Sequence, residues 1–352
     1  MQNTNKSFFA DWTNWQVVVA MGFVVACGVG GSFVESDYLL QVMVLAAIYA
    51  AIGTAWSIAG GLSGLLLLGY ISFFGAGAYL DGLLFTRLGV NPWLCIVLSF
   101  FSAAALAWLI SLVTLRFGLA EDYFAMFTVA LSQVFKYILL NWDYAGGATG
   151  IYLTVVKDDF WILSFIDLKP YLYIALLILA AVIMTTYAVQ KSRMGYYLAA
   201  VRENDQAAEA LGINVRKVKT QAMMLSGGMA GSIGAFYTQF ATFIDPKQVF
   251  SLATNFEMLL GPVLGGRLSI IGPVFGASFL KPTQDFLRGW MGGEADAVYL
   301  ILYGAVLAIG ILLLPKGAAH YVQIWHRRRY AKQAQARAAD NTETIAIVGA
   351  SK

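Results

Sequence analysis

Long apolar segments, separated by short polar connections, constrain this chain more than any other feature of its sequence. A helix needs about 17 to 25 predominantly apolar residues to cross the hydrocarbon core of a bilayer. Of the 352 residues, 59% are hydrophobic and only 12% are charged, whereas soluble domains carry about 25% charged residues. The sequence therefore predicts an all-α polytopic membrane protein. The predicted spans are 15–34, 39–58, 62–85, 93–115, 123–142, 171–189, 222–243 and 297–314.

Two further apolar segments, 252–264 and 270–286, are short or interrupted by glycine and proline. They fit either two short spans or one re-entrant hairpin, and both arrangements return the chain to the same side of the membrane. The first apolar segment is interpreted as a retained span, because no small-residue cleavage site follows a short apolar core. The sequence thus predicts about ten transmembrane helices within a domain that covers residues 15–315.

The positions of the positive charges predict the orientation of the chain. Lys and Arg concentrate on the cytoplasmic side of membrane proteins, and 13 of the 23 lie in segments 190–219 and 316–352. Both segments are therefore expected in the cytoplasm. The N-terminal segment 1–14 is expected there too, since six spans precede residue 190, and the connection 141–169 is expected in the periplasm. This distribution of charge gives no indication of nucleic-acid binding.

Several kinds of chemistry are missing from the sequence. There is no G-x-x-x-x-G-K-[ST] phosphate loop, no H-E-x-x-H motif and no metal-binding cluster, so no catalytic residue, metal site or ATP site is predicted on this chain. The string "GLSG" at 61–64 is similar to the nucleophile motif of rhomboid-type intramembrane proteases. A serine needs a base to act as a nucleophile, and no predicted span contains histidine. Ser63 is therefore interpreted as a small residue at a helix break.

Charged and small residues within the spans suggest a transport path. Charged side chains at membrane depth face a cavity, pair with a partner or reach toward the interface, and glycines either let helices pack closely or interrupt them beside a cavity. Both alternatives stay open for each residue on sequence grounds. The residues predicted to line the path are Gly75, Gly77, Asp81, Lys136 and Glu257.

The segment "VRENDQAAEALGINV", residues 201–215, is a charged stretch in a mostly apolar chain. Asn204 or Asp205 is suited to cap a helix start, and Gly212 to end it in the left-handed conformation with Ile213 folding back. Alanines on one face suit close docking, whereas an interfacial anchor would carry larger apolar residues. The residues assigned to docking of a partner are Arg202, Glu203, Asn204, Asp205, Ala207, Ala208, Leu211, Gly212 and Ile213.

The stretch "SRMGYYLAAVRENDQAAEALGINVRKVKTQAMMLSGGMAGSIGAF" resembles the cytoplasmic loop and following helix of branched-chain amino acid ABC transporter permeases, specifically the M-type subunit. Three further stretches are similar to the same family: "LLLLGYISFFGAGAYL", "YFAMFTVALSQVFKYILLNW" with "GGATGIYL", and "GPVLGGRLSIIGPVFGASF". The resemblance covers about residues 40–315. Pro262 and Arg267 depart from the family's pattern around the paired glycines, which leaves the solute open.

The resemblance implies a permease with the ten-helix fold of type II importers in the bacterial inner membrane. It implies that the helix after Asn204 is a coupling helix that enters a groove on an ATPase. The implied partners are a second homologous permease, two cytoplasmic ATPases that bind ATP and Mg, a periplasmic solute-binding protein and membrane lipid, with no cofactor on this chain. Family solutes include leucine, isoleucine and valine, and also urea, short amides and aromatic acids.

Two other classes of protein compete with this interpretation. A stand-alone secondary transporter would use intramembrane charges for ion coupling and would need no ATPase, which leaves the capped helix at 204–212 without a role. A polytopic membrane enzyme is disfavoured by the missing histidine and metal clusters.

Overall fold

The computed structural model describes residues 2–118, 121–153 and 159–290, together with positions 304, 305, 312, 317 and 319, and side chains from Thr13 onward. The predicted span 297–314 and the tail 316–352 therefore lie essentially outside the described residues. The helices of the described part are α1 (Gln2–Phe33), α2 (Asp37–Trp56), α3 (Ile71–Leu88), α4 (Pro92–Arg116), α5 (Glu121–Leu140), α6 (Leu168–Lys191), α7 (Arg193–Glu203), α8 (Asp205–Ala210), α9 (Val215–Ala241), α10 (Pro246–Val249), α11 (Leu252–Gly265) and α12 (Ile271–Trp290).

Five of the described helices are long and apolar enough to cross a membrane: Thr13–Phe33, Asp37–Leu62, Pro92–Arg116, Glu121–Leu140 and Leu168–Lys191. Most of α2 is buried inside the bundle, whereas α4 exposes large apolar side chains such as Phe101 and Leu109. A helix that is apolar on its outer face is suited to contact with lipid. The predicted helical membrane character is confirmed.

A two-stranded antiparallel sheet ties the connection 141–169 to the end of α9. Strand β1 (Ile151–Tyr152) pairs with β2 (Phe243–Ile244), and the Tyr152 and Phe243 rings lie 4.3 Å apart. The Trp93 indole N–H, at the start of α4, donates to the Phe160 carbonyl at 3.0 Å. We call this end of the bundle the sheet end, and the opposite end, which carries α7 and α8, the α8 end.

The predicted third span, 62–85, is wrong at its start. Helix α2 continues as a π-helical turn, Ser57–Leu62, and the chain is then irregular until α3 begins at Ile71. Gly64 adopts a left-handed conformation with φ of +75° in this segment. Ser63 lies at the break, where its hydroxyl donates to the Ala59 carbonyl at 2.5 Å.

Side chains of α2 and of the distant helix α11 satisfy the irregular backbone. The Trp56 indole N–H donates to the Leu67 carbonyl at 2.9 Å. The Asn255 side chain of α11 donates to the Leu68 carbonyl and accepts from the Ile71 amide at 3.0 Å. Non-helical backbone at membrane depth is tolerated where protein buries and satisfies it. The interpretation of Ser63 as a residue at a helix break agrees with the structure, but the apolar sequence of 62–70 does not show that the irregular segment extends to Ile71, because Asn255 comes from a distant helix.

Helices α11 and α12 form an antiparallel hairpin. Gly265 faces Gly272, and Gly261 faces Gly276, so the two backbones approach closely through glycine pairs, as small residues allow in membrane bundles. Helix α11 has 14 residues, about 21 Å at 1.5 Å per residue, which is shorter than the roughly 30 Å of a bilayer core. Helix α12 has 20 residues.

Candidate functional site

A cavity of about 930 Å³ lies among α2, α9, α11 and α12. Its lining includes Tyr38 at the start of α2 and Phe243 in β2, so it lies in the half of the bundle toward the sheet end. Small-molecule sites are concave, with mostly apolar walls and a few convergent polar groups. The wall of this cavity combines apolar side chains with a larger share of polar ones, and its volume is at the upper end of the range for such sites.

Five side chains form a polar network in the cavity wall. Glu257 of α11 accepts from the Gln284 amide at 2.6 Å and from the Tyr49 hydroxyl at 3.4 Å. Lys281 Nζ lies 3.1 Å from Asp285 Oδ1 and 3.2 Å from Gln284 Oε1. It also lies 5.1 Å from the centre of the Tyr49 ring. Charged groups inside a membrane bundle are costly unless they are paired and usually mark a functional site.

Local sequence positions these side chains. Lys281, Gln284 and Asp285 stand at spacings of three and four on α12, which puts them on one helix face. The glycine pairs between α11 and α12 hold that face next to Glu257. The Ser251 side chain accepts from the Ala253 amide at 3.2 Å and so fixes the start of α11.

Among the residues predicted to line the path, Glu257 lies in the cavity wall and Asp81 lies elsewhere. Asp81 is fully buried between α3 and α9, where its Oδ2 accepts from the Gln239 amide at 2.7 Å. Its position outside the lining of the cavity differs from the expectation. The reason is that α3 turns this face toward α9, so Asp81 Oδ2 meets a buried amide instead of the cavity, while Oδ1 has no hydrogen-bond partner among the described residues.

Gly75 and Gly77 of α3 are packing positions. A Cβ atom at Gly77 would collide with the Gly231 backbone of α9, and one at Gly75 with the Phe250 ring. Lys136 is half-buried on α5 and does not line this cavity. Sequence reasoning missed Tyr49 and the three polar cavity residues of α12. The string "KPTQD" at 281–285 indicated them, since Lys and Asp stand four residues apart within the apolar segment 270–286.

The loop helix α8 has the predicted caps. The Asn204 side chain accepts from the Ala207 amide at 2.9 Å. Gly212 is left-handed with φ of +82°, and the Ile213 amide folds back to the Ala208 carbonyl at 3.1 Å. The helix covers Asp205–Ala210, so Asn204 and Leu211 are its flanking caps. Each cap arises from neighbouring residues, which is why the sequence predicts both ends.

The apolar residues of α8 do not share one face, contrary to expectation. Ala208 is buried against Val201 and Val215 of the same loop, whereas Ala207 is exposed and Leu211 is 79% exposed. Ala208 therefore holds the loop together. The exposed surface available to a partner includes Ala207 and Leu211 with the neighbouring polar side chains.

One ion pair ties α8 to α9: Asp205 Oδ2 lies 2.5 Å from Lys219 Nζ. Arg202 and Glu203, which are neighbours at the end of α7, pair with each other at 2.8 Å. A second cavity of about 380 Å³ lies beneath α8 and is lined by further charged side chains, among them Arg116. Among the described residues, no group of three or more His, Cys, Asp or Glu is placed to hold a metal ion.

A bundle of apolar helices around a cavity with polar groups in its wall is typical of a multi-pass membrane protein. Residues 38–311 match the family described as branched-chain amino acid transport system / permease component. The chain belongs to this family.

Curated relatives extend the comparison. The chain is 25% identical over 317 residues to the high-affinity branched-chain amino acid transport system permease protein LivM of Escherichia coli, covering 84% of this chain and 73% of the relative. It is 23% identical over 311 residues to the LivH permease protein of Salmonella typhimurium, covering 80% and 95%. A nucleoside ABC transporter permease protein, NupC of Lactococcus lactis, is 29% identical over 147 residues, covering 41% and 46%.

Proposed function

We propose that this chain is a membrane-spanning permease subunit of an ATP-driven ABC importer for branched-chain amino acids or a similar small polar solute. The connection between α8 and the cavity carries this proposal. Helix α9 begins beside α8, where Lys219 pairs with Asp205, and reaches the cavity wall at Tyr237. The helix segment between these points is about 27 Å long at 1.5 Å per residue.

The exposed surface of α8 is suited to receive force from an ATPase. The helix is capped at both ends and anchored by a largely buried lysine, so it moves with α9 as one unit. In this proposal, ATP-driven import relies on partner ATPases that bind ATP and Mg, since the sequence of this chain has no G-x-x-x-x-G-K-[ST] motif. The full importer would contain two of them, a second homologous permease and a periplasmic solute-binding protein, with about ten spans in this chain and the fold of type II importers.

The proposed orientation places the α8 end in the cytoplasm of a bacterial cell and the sheet end in the periplasm. The density of Lys and Arg in 190–219 supports it, and the cavity then lies in the periplasmic half. An impermeant thiol reagent tests it on single cysteines in a chain that lacks Cys27 and Cys95. Trp161→Cys, at a 70% exposed position, should react from outside intact cells. Reaction of Ala207→Cys from outside would contradict the orientation.

A stand-alone secondary transporter is the second candidate, favoured by the carboxylates Glu257 and Asp285 inside the bundle. Gentle purification of the tagged chain separates the two classes. An ABC permease brings two ATPases and a second permease with it, whereas a secondary transporter purifies without them and transports with an ion gradient alone. Urea, amides and aromatic acids stay as alternative solutes for the ABC importer.

A further inference from the structure

We propose that the second cavity, beneath α8, binds a phospholipid headgroup that carries both a phosphate and a primary ammonium group, as in phosphatidylethanolamine. The cavity measures about 380 Å³, which is within the range of about 300–1,000 Å³ for small-molecule sites. It lies among the end of α4, the start of α5, α8 and the start of α9. The site needs neither the solute nor the ATPases, so it does not depend on the proposed function.

The wall of this cavity carries charges of both signs in equal number. The three cations and three carboxylates are Arg116, Arg216 and Lys219, and Glu121, Asp205 and Glu209. Lys219 and Asp205 neutralise each other as an ion pair, whereas the two arginines and two glutamates form no ion pair with another described residue. A ligand with one charge would be attracted by one of these pairs and repelled by the other. A ligand with both charges suits both pairs.

The two arginines suit the phosphate of the headgroup. A guanidinium group presents planar N–H donors in a fork that fits phosphate oxygens bidentately. Arg116 is the last residue of α4, and Arg216 is the second residue of α9. A phosphate bound by both would therefore connect the two helices at the α8 end.

The two glutamates suit the ammonium group of the headgroup. Glu121 and Glu209 offer carboxylate oxygens, which accept hydrogen bonds, and a primary ammonium has three N–H donors. The trimethylammonium of phosphatidylcholine has no N–H donor. Phosphatidylglycerol has no cation at all and would leave both carboxylates without a positive partner. The cavity should therefore bind phosphatidylethanolamine more tightly than either of these lipids.

The surroundings of the cavity suit a lipid better than a soluble phosphate ester. Leu65, Leu115 and Phe124 line the cavity beside its charged groups. Next to it, Phe117 is 75% exposed at the end of α4, and Met126 is 70% exposed on α5. Exposed apolar side chains beside charged ones are expected where the hydrocarbon core of a bilayer meets the headgroups. Acyl chains would lie along the exposed faces of α4 and α5.

Native mass spectrometry of the full-length chain, delipidated in detergent and without ATPases, tests the site. It is titrated with phosphatidylethanolamine, phosphatidylcholine and phosphatidylglycerol, all with dioleoyl chains. Losing one charged contact at an exposed site weakens binding about fivefold. We expect phosphatidylethanolamine to bind about fivefold more tightly than either other lipid. Equal binding of phosphatidylcholine would overturn the contact with the glutamates, and equal binding of phosphatidylglycerol would overturn the need for both charges.

Glycerophosphoethanolamine, which is the same headgroup without acyl chains, distinguishes a lipid from a soluble ligand. Because the acyl chains contribute apolar contacts, this compound should not displace phosphatidylethanolamine at an equal concentration. Displacement at that concentration would overturn the assignment to a lipid.

A pair of arginine variants locates the phosphate contact. Arg116→Gln removes one guanidinium from the cavity wall, so binding of phosphatidylethanolamine should fall about fivefold. Arg193→Gln makes the same change at an exposed position of the α8 end that does not line the cavity and should leave binding unchanged. Equal binding by the two variants overturns the site. If Arg116→Gln does not fold, the three lipids on the native chain decide the matter.

A pair of acidic variants locates the ammonium contact. Glu121→Gln should weaken phosphatidylethanolamine binding about fivefold without weakening that of phosphatidylglycerol, because the removed carboxylate contacts only the ammonium. Asp122→Asn removes a neighbouring exposed carboxylate outside the cavity and should keep the preference. An unchanged preference in Glu121→Gln would overturn the assignment of this carboxylate to the ammonium. Solute uptake enters none of these measurements, so a failed importer would leave the lipid site standing, and the reverse.

Discussion

Asp205 at the start of α8 forms an ion pair with Lys219 of α9, with 2.5 Å between Oδ2 and Nζ. The Lys219 side chain is only 10% exposed, whereas that of Asp205 is 48% exposed. Breaking such a pair from the exposed side leaves a largely buried charge without its partner. The pair joins the loop helix α8 to α9, the helix that reaches the cavity wall at Tyr237.

Lys219→Met should uncouple ATP hydrolysis from transport. The substitution removes the ion pair but leaves the exposed surface of α8 intact, so the ATPases should stay bound. Changes in an element that links two sites alter their coupling by about 0.5–2 kcal/mol, or roughly twofold to thirtyfold, and we expect a decrease within this range in the solute imported per ATP hydrolysed. The charge-exchanged double variant, Asp205→Lys with Lys219→Asp, should restore part of the loss. If Lys219→Met imports as much solute per ATP hydrolysed as the native chain, the ion pair does not couple ATP hydrolysis to transport.

Ala207→Trp should release the ATPases from a folded permease. Ala207 is exposed on α8, and overpacking a close interface costs about 1–3 kcal/mol, so co-purification of the ATPases should fall about tenfold. Ala105→Trp, at an exposed position of α4, is the matched control and should keep them. Ala208→Trp is unsuitable as a test, because Ala208 is buried against Val201 and Val215 and its enlargement would disturb the loop itself. Normal ATPase retention by Ala207→Trp would place the docking surface elsewhere.

Gly212→Val should also weaken ATPase binding, through the backbone. Gly212 has φ of +82°, a region in which a residue with a Cβ atom is strained by about 1–2 kcal/mol, so the cap that ends α8 should loosen. Gly89 has φ of +63° at the end of α3, with no atom within 4 Å of the position that a Cβ atom would take. Gly89→Val therefore imposes similar strain at a site remote from α8. Equal ATPase retention by the two variants would contradict a specific role for the α8 cap.

Asp81→Asn should transport normally, whereas Asp81→Leu should be destabilised. An asparagine oxygen can still accept from the Gln239 amide, but a leucine leaves that buried donor unpaired, which costs about 1–3 kcal/mol. The thermal unfolding of the purified chain and its solute uptake measure the two effects. If Asp81→Asn abolishes uptake while the chain stays folded, Asp81 belongs to the path after all.

The sequence predicts those features that neighbouring residues determine. Asn204 and Gly212 end α8 as predicted because each cap depends on a side chain or backbone conformation within a few residues. The inward position of Ala208 depends on Val201 and Val215, which meet only when the loop folds.

Tertiary contacts explain what sequence reasoning missed. The break before Ile71 is stabilised by Asn255 of a distant helix, and an apolar run gives no sign of such a partner. Asp81 and Glu257 look alike in sequence, as lone carboxylates within apolar segments. Only helix packing distinguishes the two residues: it places Asp81 against Gln239, and it places Glu257 in the cavity wall.

Solute uptake into proteoliposomes tests the central claim most directly. The vesicles contain this chain with its co-purified permease and ATPases, and the solute-binding protein is supplied outside with labelled leucine. We predict that leucine accumulates only when ATP is present inside the vesicles, on the side that the ATPases face. Accumulation should stop when a non-hydrolysable ATP analogue replaces ATP. Equal accumulation without ATP, driven by an ion gradient, would contradict the account and assign the chain to the secondary transporters.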